Sequence, residues 1–263
     1  MSLIVQNIDI FVKEAGHGEP ILFLHGVPDS ADIWDGITAQ LQSNYHCIAP
    51  DWPSFGRSGS GAALDCSLDG HANFVNDLAD ALGLDEPFNL VGHDFGGVSV
   101  MAFVAKYPDR VRRLAVSNAP FSPDYRWHLW AKVWRTPGLG ELSMALMNRW
   151  IFTLSLRQGS RKLSDNHIRA VYRYVTPEMK RMILRMYRAL PETVWQAGRS
   201  RLQAATARVP TIVLWGQHDP YLPNWLPDQY GAQEIRRYPE AGHWVPAEEI
   251  DAVAKDLFRF FAA

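Results

Sequence analysis

Short apolar segments that alternate with helical periodicity are the feature that most restricts the fold of this chain of 263 residues. The segments are rich in β-branched and aromatic residues, and a Gly, Pro or Asp turn closes each of them. Apolar strands separated by amphipathic helices indicate a mainly parallel sheet that is covered by helices on both faces. The segments read NIDIFVKEAG, PILFLHGVP, HCIAPDWPSFG, FNLVGHD, RLAVSNAP, TIVLWGQHD and EIRRYPEAGH.

The alternation stops near Pro120 and resumes near Val209. The residues between are rich in Trp, Met, Tyr and Arg and have helical spacing, without a convincing strand pattern. They could be ordinary helices that connect two strands, but such a connection needs only about a dozen residues. We therefore predict a helical cap over residues 122–205, inserted into a core formed by residues 1–121 and 206–263.

Composition excludes several classes of function. The net charge of −2 and the absence of a dense Lys/Arg cluster argue against a nucleic-acid partner. Cys47 and Cys66 lack the spacing of a metal or redox pair, so we expect a reducing compartment, no metal and no cofactor. The sequence shows neither a signal peptide nor an apolar run of about 20 residues. We expect a cytoplasmic protein with no membrane partner, as a monomer or a homodimer.

The stretch NLVGHDFGG, residues 89–97, predicts a strand, a sharp turn and a helix, with Asp94 at the tip of the turn. A turn of this kind usually presents a Ser nucleophile. A carboxylate is ionised near neutral pH and can attack a saturated carbon. The resulting ester can be hydrolysed, whereas the ether that Ser would form cannot. Asp94 therefore indicates an electrophilic sp³ carbon as the target, although it could instead be only a helix N-cap.

Three further motifs follow predicted strands: HGVP at residues 25–28, GQHD at 216–219 and AGHW at 241–244. Together with the turn at Asp94, they resemble the α/β-hydrolases over essentially the whole chain. An Asp nucleophile combined with HGxP resembles the epoxide hydrolases, haloalkane dehalogenases and fluoroacetate dehalogenases within that superfamily. The resemblance implies an α/β-hydrolase fold, with a mostly parallel eight-stranded sheet, flanking helices and an inserted helical cap.

The resemblance also implies roles for two residues besides the nucleophile. His243 would be the general base that activates water against the ester of Asp94. Asp219 would orient His243 and balance its charge, although it could simply form a turn before Pro220. The other position that the superfamily uses for this acid is occupied here by Asn118, which is neutral, so Asp219 is favoured.

An oxyanion that develops on the ester needs N–H donors already in place. The backbone N–H of Phe95, directly after the nucleophile, is one candidate, and the resemblance implies that of Val27 as the second. Aromatic side chains near these motifs and early in the cap are expected to bind the substrate. These are Trp34, Phe95, Trp127 and Trp244.

The leaving group is harder to predict from the motifs. Haloalkane dehalogenases usually have Trp after the nucleophile, and some have Asn in HGxP, whereas fluoroacetate dehalogenases have Arg after the nucleophile. Phe95 and Val27 provide no such side-chain donor. A tryptophan of the cap could still bind a halide, and the candidates are Trp127, Trp130, Trp134 and Trp150.

Opening an epoxide instead needs a weak acid for the ring oxygen, and tyrosine can supply it without being ionised at neutral pH. Tyr187 in RMYRALPE resembles the cap tyrosine of epoxide hydrolases, although related esterases share this Tyr-Arg pair. Tyr125 is the nearest match to their second tyrosine, with Tyr172 and Tyr174 as competitors. We therefore predict hydrolysis of a small apolar epoxide to a vicinal diol with water, the alternatives being a dehalogenase and a non-catalytic ligand-binding protein.

Overall fold

An eight-stranded sheet forms the centre of a computed structural model that describes residues 1–160, 162–191 and 193–263. The strands are Ser2–Val5 (β1), Ile8–Ala15 (β2), Glu19–Leu24 (β3), Tyr45–Pro50 (β4), Phe88–His93 (β5), Val111–Ser117 (β6), Thr211–Gly216 (β7) and Glu234–Tyr238 (β8). Their order in the sheet is β1-β2-β4-β3-β5-β6-β7-β8. The pairs β1/β2 and β2/β4 are antiparallel and the remaining pairs are parallel. The predicted mostly parallel sheet is confirmed.

Helices cover both faces of this sheet. Along β3, Leu22 and Leu24 pack into one apolar cluster while Ile21 and Phe23 pack into another, because successive side chains of a strand point to opposite faces. The α-helices are Asp35–Leu41 (α1), Leu68–Ala81 (α2), Phe95–Lys106 (α3), Leu129–Arg135 (α4), Leu139–Leu146 (α5), Arg149–Gly159 (α6), Asp165–Tyr172 (α7), Pro177–Ala189 (α8), Val194–Thr206 (α9), Val245–Glu248 (α10) and Ile250–Ala262 (α11).

The antiparallel edge begins with a hairpin that the sequence analysis did not separate into two strands. Gln6 and Asn7 connect β1 to β2, and both have positive φ values, 48° and 63°. A two-residue turn with positive φ at both positions matches the twist of an antiparallel pair. The chain therefore reverses direction after the short strand β1, and β2 pairs with β1 in antiparallel orientation.

The residues between β6 and β7 contain helices α4 to α9. Helices α4 and α5 both pack against α8, while α9 packs against α3, directly beneath the sheet. The predicted boundary at residue 205 thus falls inside a helix that contacts the core. The division of the chain into a core and a separate cap stays a prediction. None of the helices in the described part of the chain combines the length and apolar character needed to cross a bilayer.

Candidate active site

The carboxyl ends of neighbouring parallel strands bring the predicted motifs together. The segment 25–28 follows β3, Asp94 follows β5, and Asp219 lies three residues beyond β7. His243 comes from the loop between β8 and α10. Ligands of open α/β sheets bind at this edge, so the sheet order alone places these residues around one site.

The turn at Asp94 has the geometry predicted from its sequence. Asp94 adopts φ 51° and ψ −119°, an unusual conformation for a residue other than glycine, and its carbonyl accepts the first hydrogen bond of α3 from Val98 at 2.9 Å. A Cβ on Gly96 would lie 2.6 Å from the carbonyl oxygen of His25. Only glycine lets α3 approach β3 this closely, and at the tip of this tight turn the buried Asp94 side chain lines the cavity.

His243 lies between two carboxylates. Its Nδ1 is 2.7 Å from Oδ2 of Asp219, and its Nε2 is 3.4 Å from Oδ2 of Asp94. Asp219 is held in place from the other side, because Nδ2 of Asn118 donates to its Oδ2 at 2.7 Å and the N–H of Tyr221 donates to its Oδ1 at 2.7 Å. His243 therefore lies between the predicted nucleophile and the predicted acid, and Asn118, at the alternative position for the acid, donates a hydrogen bond that orients Asp219.

The two carboxylates determine the charge of His243. Burial alone would lower the pKa of His243, but the charge and hydrogen bond of Asp219, together with those of Asp94, outweigh burial and raise the pKa to about 10. Burial alone would raise the pKa of Asp219, but the charge of His243 and the hydrogen bonds from His243 and Asn118 lower it below the usual value. The two carboxylates thus favour the protonated form of His243 in the free site.

The Phe95 N–H donates to Oδ1 of Asp94 at 2.5 Å, and Val27 lines the same cavity as Asp94. This cavity encloses about 90 Å³ and is lined mostly by aromatic and aliphatic side chains. The predicted residues that line it are Val27, Asp94, Phe95, Tyr125, Trp127, Tyr187, His243 and Trp244. Lining residues that the sequence analysis did not single out include His128, Met144, Phe152, Ile183 and Tyr221.

The structure does not place Trp34 at this cavity, so its assignment as a substrate-binding residue was wrong. Trp34 is 1% exposed and packs against Phe23 at 5.3 Å between ring centroids, within the apolar cluster on one face of the sheet. Among the four candidate halide donors, Trp127, Trp130 and Trp134 line the cavity. Trp150, by contrast, is 79% exposed.

Tyr187 lines the cavity and is surrounded by aromatic side chains. Its ring centroid is 4.8 Å from that of Phe95, 4.9 Å from that of Trp134 and 5.3 Å from that of Trp127. Burial, and after it the charge of Asp94, raises the pKa of the Tyr187 phenol well above its usual value. The hydroxyl group is therefore a stable proton donor at neutral pH.

The other tyrosines differ in their partners. The hydroxyl of Tyr125 lies in the cavity wall and donates to the carbonyl oxygen of Tyr221 at 3.4 Å. Tyr172 packs against Phe152 at 5.4 Å between ring centroids, and Tyr174 lies beneath the guanidinium group of Arg57. Tyr187 and Tyr125 are thus the two candidate acids that share the cavity with Asp94.

The buried carboxylate of Asp29, beside the site, could not be predicted to have a role because its partners are distant in the sequence. Asp29, which follows HGVP, accepts a hydrogen bond from Nε1 of Trp244 at 2.8 Å, and its Oδ1 lies 3.2 Å from Nε2 of His167 on α7. Burial would raise the pKa of Asp29, but the charge of His167 outweighs this and lowers it. Asp29 therefore connects the loop after β3 to α7 and to the residue following His243.

Comparisons with known proteins agree with this architecture. Haloalkane dehalogenase 2 of Mycobacterium tuberculosis strain H37Rv is 26% identical over 280 residues, covering 96% of this chain and 91% of the relative. The crystal structure of a putative ancestral haloalkane dehalogenase has a TM-score of 0.82 and 25% identity, covering all of both chains. The epoxide hydrolase CorEH without ligand has a TM-score of 0.83 and 21% identity, covering 100% of this chain and 98% of that one, and shows the fold alone.

A comparison with family models identifies the superfamily to which this chain belongs. A model described as the alpha/beta hydrolase fold matches residues 19–250, from the start of β3 to the start of α11. This range includes the turn at Asp94 and the loops that carry Asp219 and His243. The chain belongs to the alpha/beta hydrolase family.

Proposed function

We propose that this hydrolase attacks an epoxide with Asp94 and releases a vicinal diol. The observation that carries the proposal is the Tyr187 phenol, which burial keeps protonated in the same cavity as Asp94 and His243. Such a donor suits a leaving group that must receive a proton, as the oxygen of an opened epoxide must. The apolar aromatic lining suits a small apolar substrate, with water as the second reactant.

In the first step, a carboxylate oxygen of Asp94 forms a bond to an epoxide carbon while the bond from that carbon to the ring oxygen breaks. The ring oxygen takes the Tyr187 proton and becomes a hydroxyl group. The enzyme now carries a neutral ester at Asp94, so His243 has lost one of its two anionic neighbours. The pKa of His243 falls, and the proton that it loses restores the phenol of Tyr187.

In the second step, neutral His243 accepts a proton from water as the water oxygen attacks the ester carbonyl of Asp94. The N–H groups of Phe95 and Val27 stabilise the resulting oxyanion. The bond from the carbonyl carbon of Asp94 to the substrate oxygen then breaks, and the departing alkoxide takes the second proton of the attacking water. The diol leaves, and both the Asp94 carboxylate and the His243 imidazolium are restored. On this proposal, residues 122–205 form the cap that keeps bulk water away from the ester.

A specific observation also favours haloalkane hydrolysis as a second candidate. The indole N–H groups of Trp127 and Trp134 are buried and have no hydrogen-bond partner among the described residues, although both side chains line the cavity. An unpaired buried N–H is costly, and a halide ion would satisfy it. The same Asp94 and His243 would perform the two steps, with halide leaving the carbon as Asp94 bonds to it. Tyr187 would keep its proton, so the proton that His243 loses when the ester forms would pass to water.

A parallel screen of epoxides and haloalkanes, which measures diol and halide, separates the two candidates. With the best substrate, His243→Gln should form the ester but not hydrolyse it, because only the second step needs the base. Intact-mass spectrometry should then show one substrate adduct, and mass analysis of a proteolytic digest should locate it on the peptide that contains Asp94. The Asp94→Ala variant is the control and should show neither adduct nor turnover.

The adduct tests the nucleophile independently of the substrate class. If His243→Gln remains at the mass of free protein while the wild type turns over, direct attack by water replaces the covalent mechanism. Halide release from haloalkanes without diol from any epoxide would favour the second candidate. Full activity of a folded Asp94→Ala protein would reject Asp94 as the nucleophile.

A further inference from the structure

Charge is distributed very unevenly along this chain. Residues 122–205 contain 15 of the 26 Lys and Arg residues but only 5 of the 28 Asp and Glu residues, which gives this segment a net charge of +10. The remainder contains 11 Lys and Arg and 23 Asp and Glu, a net charge of −12. The net charge of the whole chain is therefore near zero although residues 122–205, which contribute side chains to the cavity wall, are strongly basic.

The same segment exposes several large apolar side chains. Six of the ten exposed large hydrophobic side chains in the described part of the chain lie between residues 129 and 154, on α4, α5 and α6. Monomeric proteins rarely leave such a concentration uncovered without a binding partner. We call this surface the roof face, and it consists of Leu129, Leu139, Leu142, Leu146, Trp150 and Leu154.

The roof face is the outer side of the cavity wall. Met144 on α5 lines the cavity, while Leu142 and Leu146 of the same helix are 56% and 61% exposed. On α6, Phe152 lines the cavity and Trp150 is 79% exposed. Side chains two residues apart on a helix point to nearly opposite sides, so these short helices have apolar side chains towards both the cavity and the exterior.

Basic side chains lie beside these apolar ones. Lys132 is exposed one helical turn after Leu129, and Arg149 is exposed next to Trp150. Neither Lys132 nor Arg149 has an ion-pair partner within the residues that the structure describes. Apolar side chains bordered by unpaired cations are typical of surfaces that lie in the interface of an anionic bilayer, where Trp is also favoured.

We propose that the roof face binds anionic lipid surfaces, with the cavity directed towards the lipid, so that apolar substrates dissolved in the lipid reach the site. The charge argues against a second copy of this chain as the occupant, since two segments of net charge +10 would face each other. The expectation of no membrane partner was based only on the net charge of the whole chain and on the lack of a membrane-spanning segment. The proposal concerns binding, and it stands whether the substrate is an epoxide or a halide.

Co-sedimentation of the full chain with vesicles tests the proposal. We expect binding to vesicles of equal parts phosphatidylglycerol and phosphatidylcholine, weaker binding to phosphatidylcholine alone, and loss of binding as salt rises from about 0.05 M to about 0.5 M. Trp150→Gln combined with Leu154→Gln should weaken binding about tenfold or more, since two apolar side chains no longer insert. Lys132→Gln combined with Arg149→Gln should weaken binding to the anionic vesicles by about tenfold or more.

Matched controls exist elsewhere on the protein. Trp225 is 41% exposed outside the roof face and Lys255 is exposed on α11. Trp225→Gln and Lys255→Gln should bind vesicles as the wild type does. Absence of vesicle binding, or equal losses in the controls, would overturn the proposal. A third result would also overturn it: the wild type forms a dimer in solution and does not bind vesicles, and the combination of Trp150→Gln with Leu154→Gln dissociates that dimer. A second copy of the chain would then cover the roof face.

Discussion

At the residue scale, the hydroxyl of Tyr187 distinguishes the two leaving groups. With an epoxide, Tyr187→Phe should slow alkylation of Asp94 by about 10² to 10³, because the donor that stabilises the developing alkoxide is lost. A second donor at Tyr125 would reduce the loss. With a haloalkane the same change should matter little, since halide needs no proton. Rapid-mixing kinetics of ester formation measure this step directly.

Tyr174→Phe is the matched control, since this tyrosine packs near Arg57 rather than at the cavity. The control should leave the rate of alkylation unchanged. An undiminished rate for Tyr187→Phe with an epoxide would remove Tyr187 from the proposed mechanism.

Individual residues also show which features of the site could be predicted from the sequence and which could not. The nucleophile turn could be predicted because its glycines and its position between a strand and a helix are local in the sequence. The inward position of Trp34 could not be predicted, because either face of the helical turn at Ala31–Trp34 could hold it. Asn118 was considered only as the residue that lacks a charge, whereas in the structure it donates to Asp219. The catalytic roles themselves stay predictions.

At the scale of secondary-structure elements, the contact between Asp29 and His167 joins α7 to the loop after β3. Burial would lower the pKa of His167, but the charge of Asp29, with a smaller contribution from Asp32, raises it above 6.5. A histidine whose pKa is raised by folding stabilises the protein fully below its unfolded pKa, and this stabilisation is lost as the pH rises through the folded pKa. Asp29, whose pKa is lowered, loses its contribution only in acid.

We therefore expect His167→Gln to reduce the free energy of unfolding by about 1–3 kcal/mol near pH 6, and by clearly less near pH 9. Urea unfolding at both pH values measures the difference. Arg169→Gln on the same helix is the control, because its guanidinium group donates only to the neighbouring Asn166 among the described residues. A His167→Gln cost that is equal at both pH values would contradict an ion pair.

The elements also show how far periodicity predicts a fold. Strands β3 to β7 and helices α2, α3 and α11 follow from apolar runs, amphipathic spacing and turns that are local in the sequence. The boundary near residue 205 could not be predicted in this way. A helix that covers the sheet and a helix that covers the cavity are both amphipathic, so the pattern of α9 does not distinguish between them. Its packing against α3 depends on tertiary contacts that periodicity does not encode.

At the scale of the whole molecule, the size of the cavity limits the substrate. Ile183 lines the cavity and is 6% exposed, so Ile183→Ala should enlarge it. We expect the ratio of kcat/KM for a larger substrate to that for a smaller one to rise about tenfold or more. Steady-state kinetics on a homologous series of the accepted substrate class would measure this ratio.

Leu184→Ala is the control for this change, since Leu184 is the next residue on α8, is 5% exposed and belongs to the apolar core. Both variants should lose about 2–5 kcal/mol of stability. Only Ile183→Ala should change the preference for size. An equal change in both would mean that loosening of α8, rather than added space, controls the choice of substrate.

Helix α5 forms part of the wall between the cavity and the exterior, because its Met144 lines the cavity while its Leu142 and Leu146 are exposed. Helix α5 has 8 residues, and Nζ of Lys180 donates to the carbonyl oxygens of Met144 and Met147 at its C-terminal end. Only Gly140 and Met144 of α5 are buried, and segments with few buried apolar contacts open at a low free-energy cost. We therefore expect substrate to enter and product to leave through local unfolding of about two helical turns, without a hinge motion of a whole domain. The frequency of that unfolding then sets an upper limit on the turnover rate, however fast the chemical steps become.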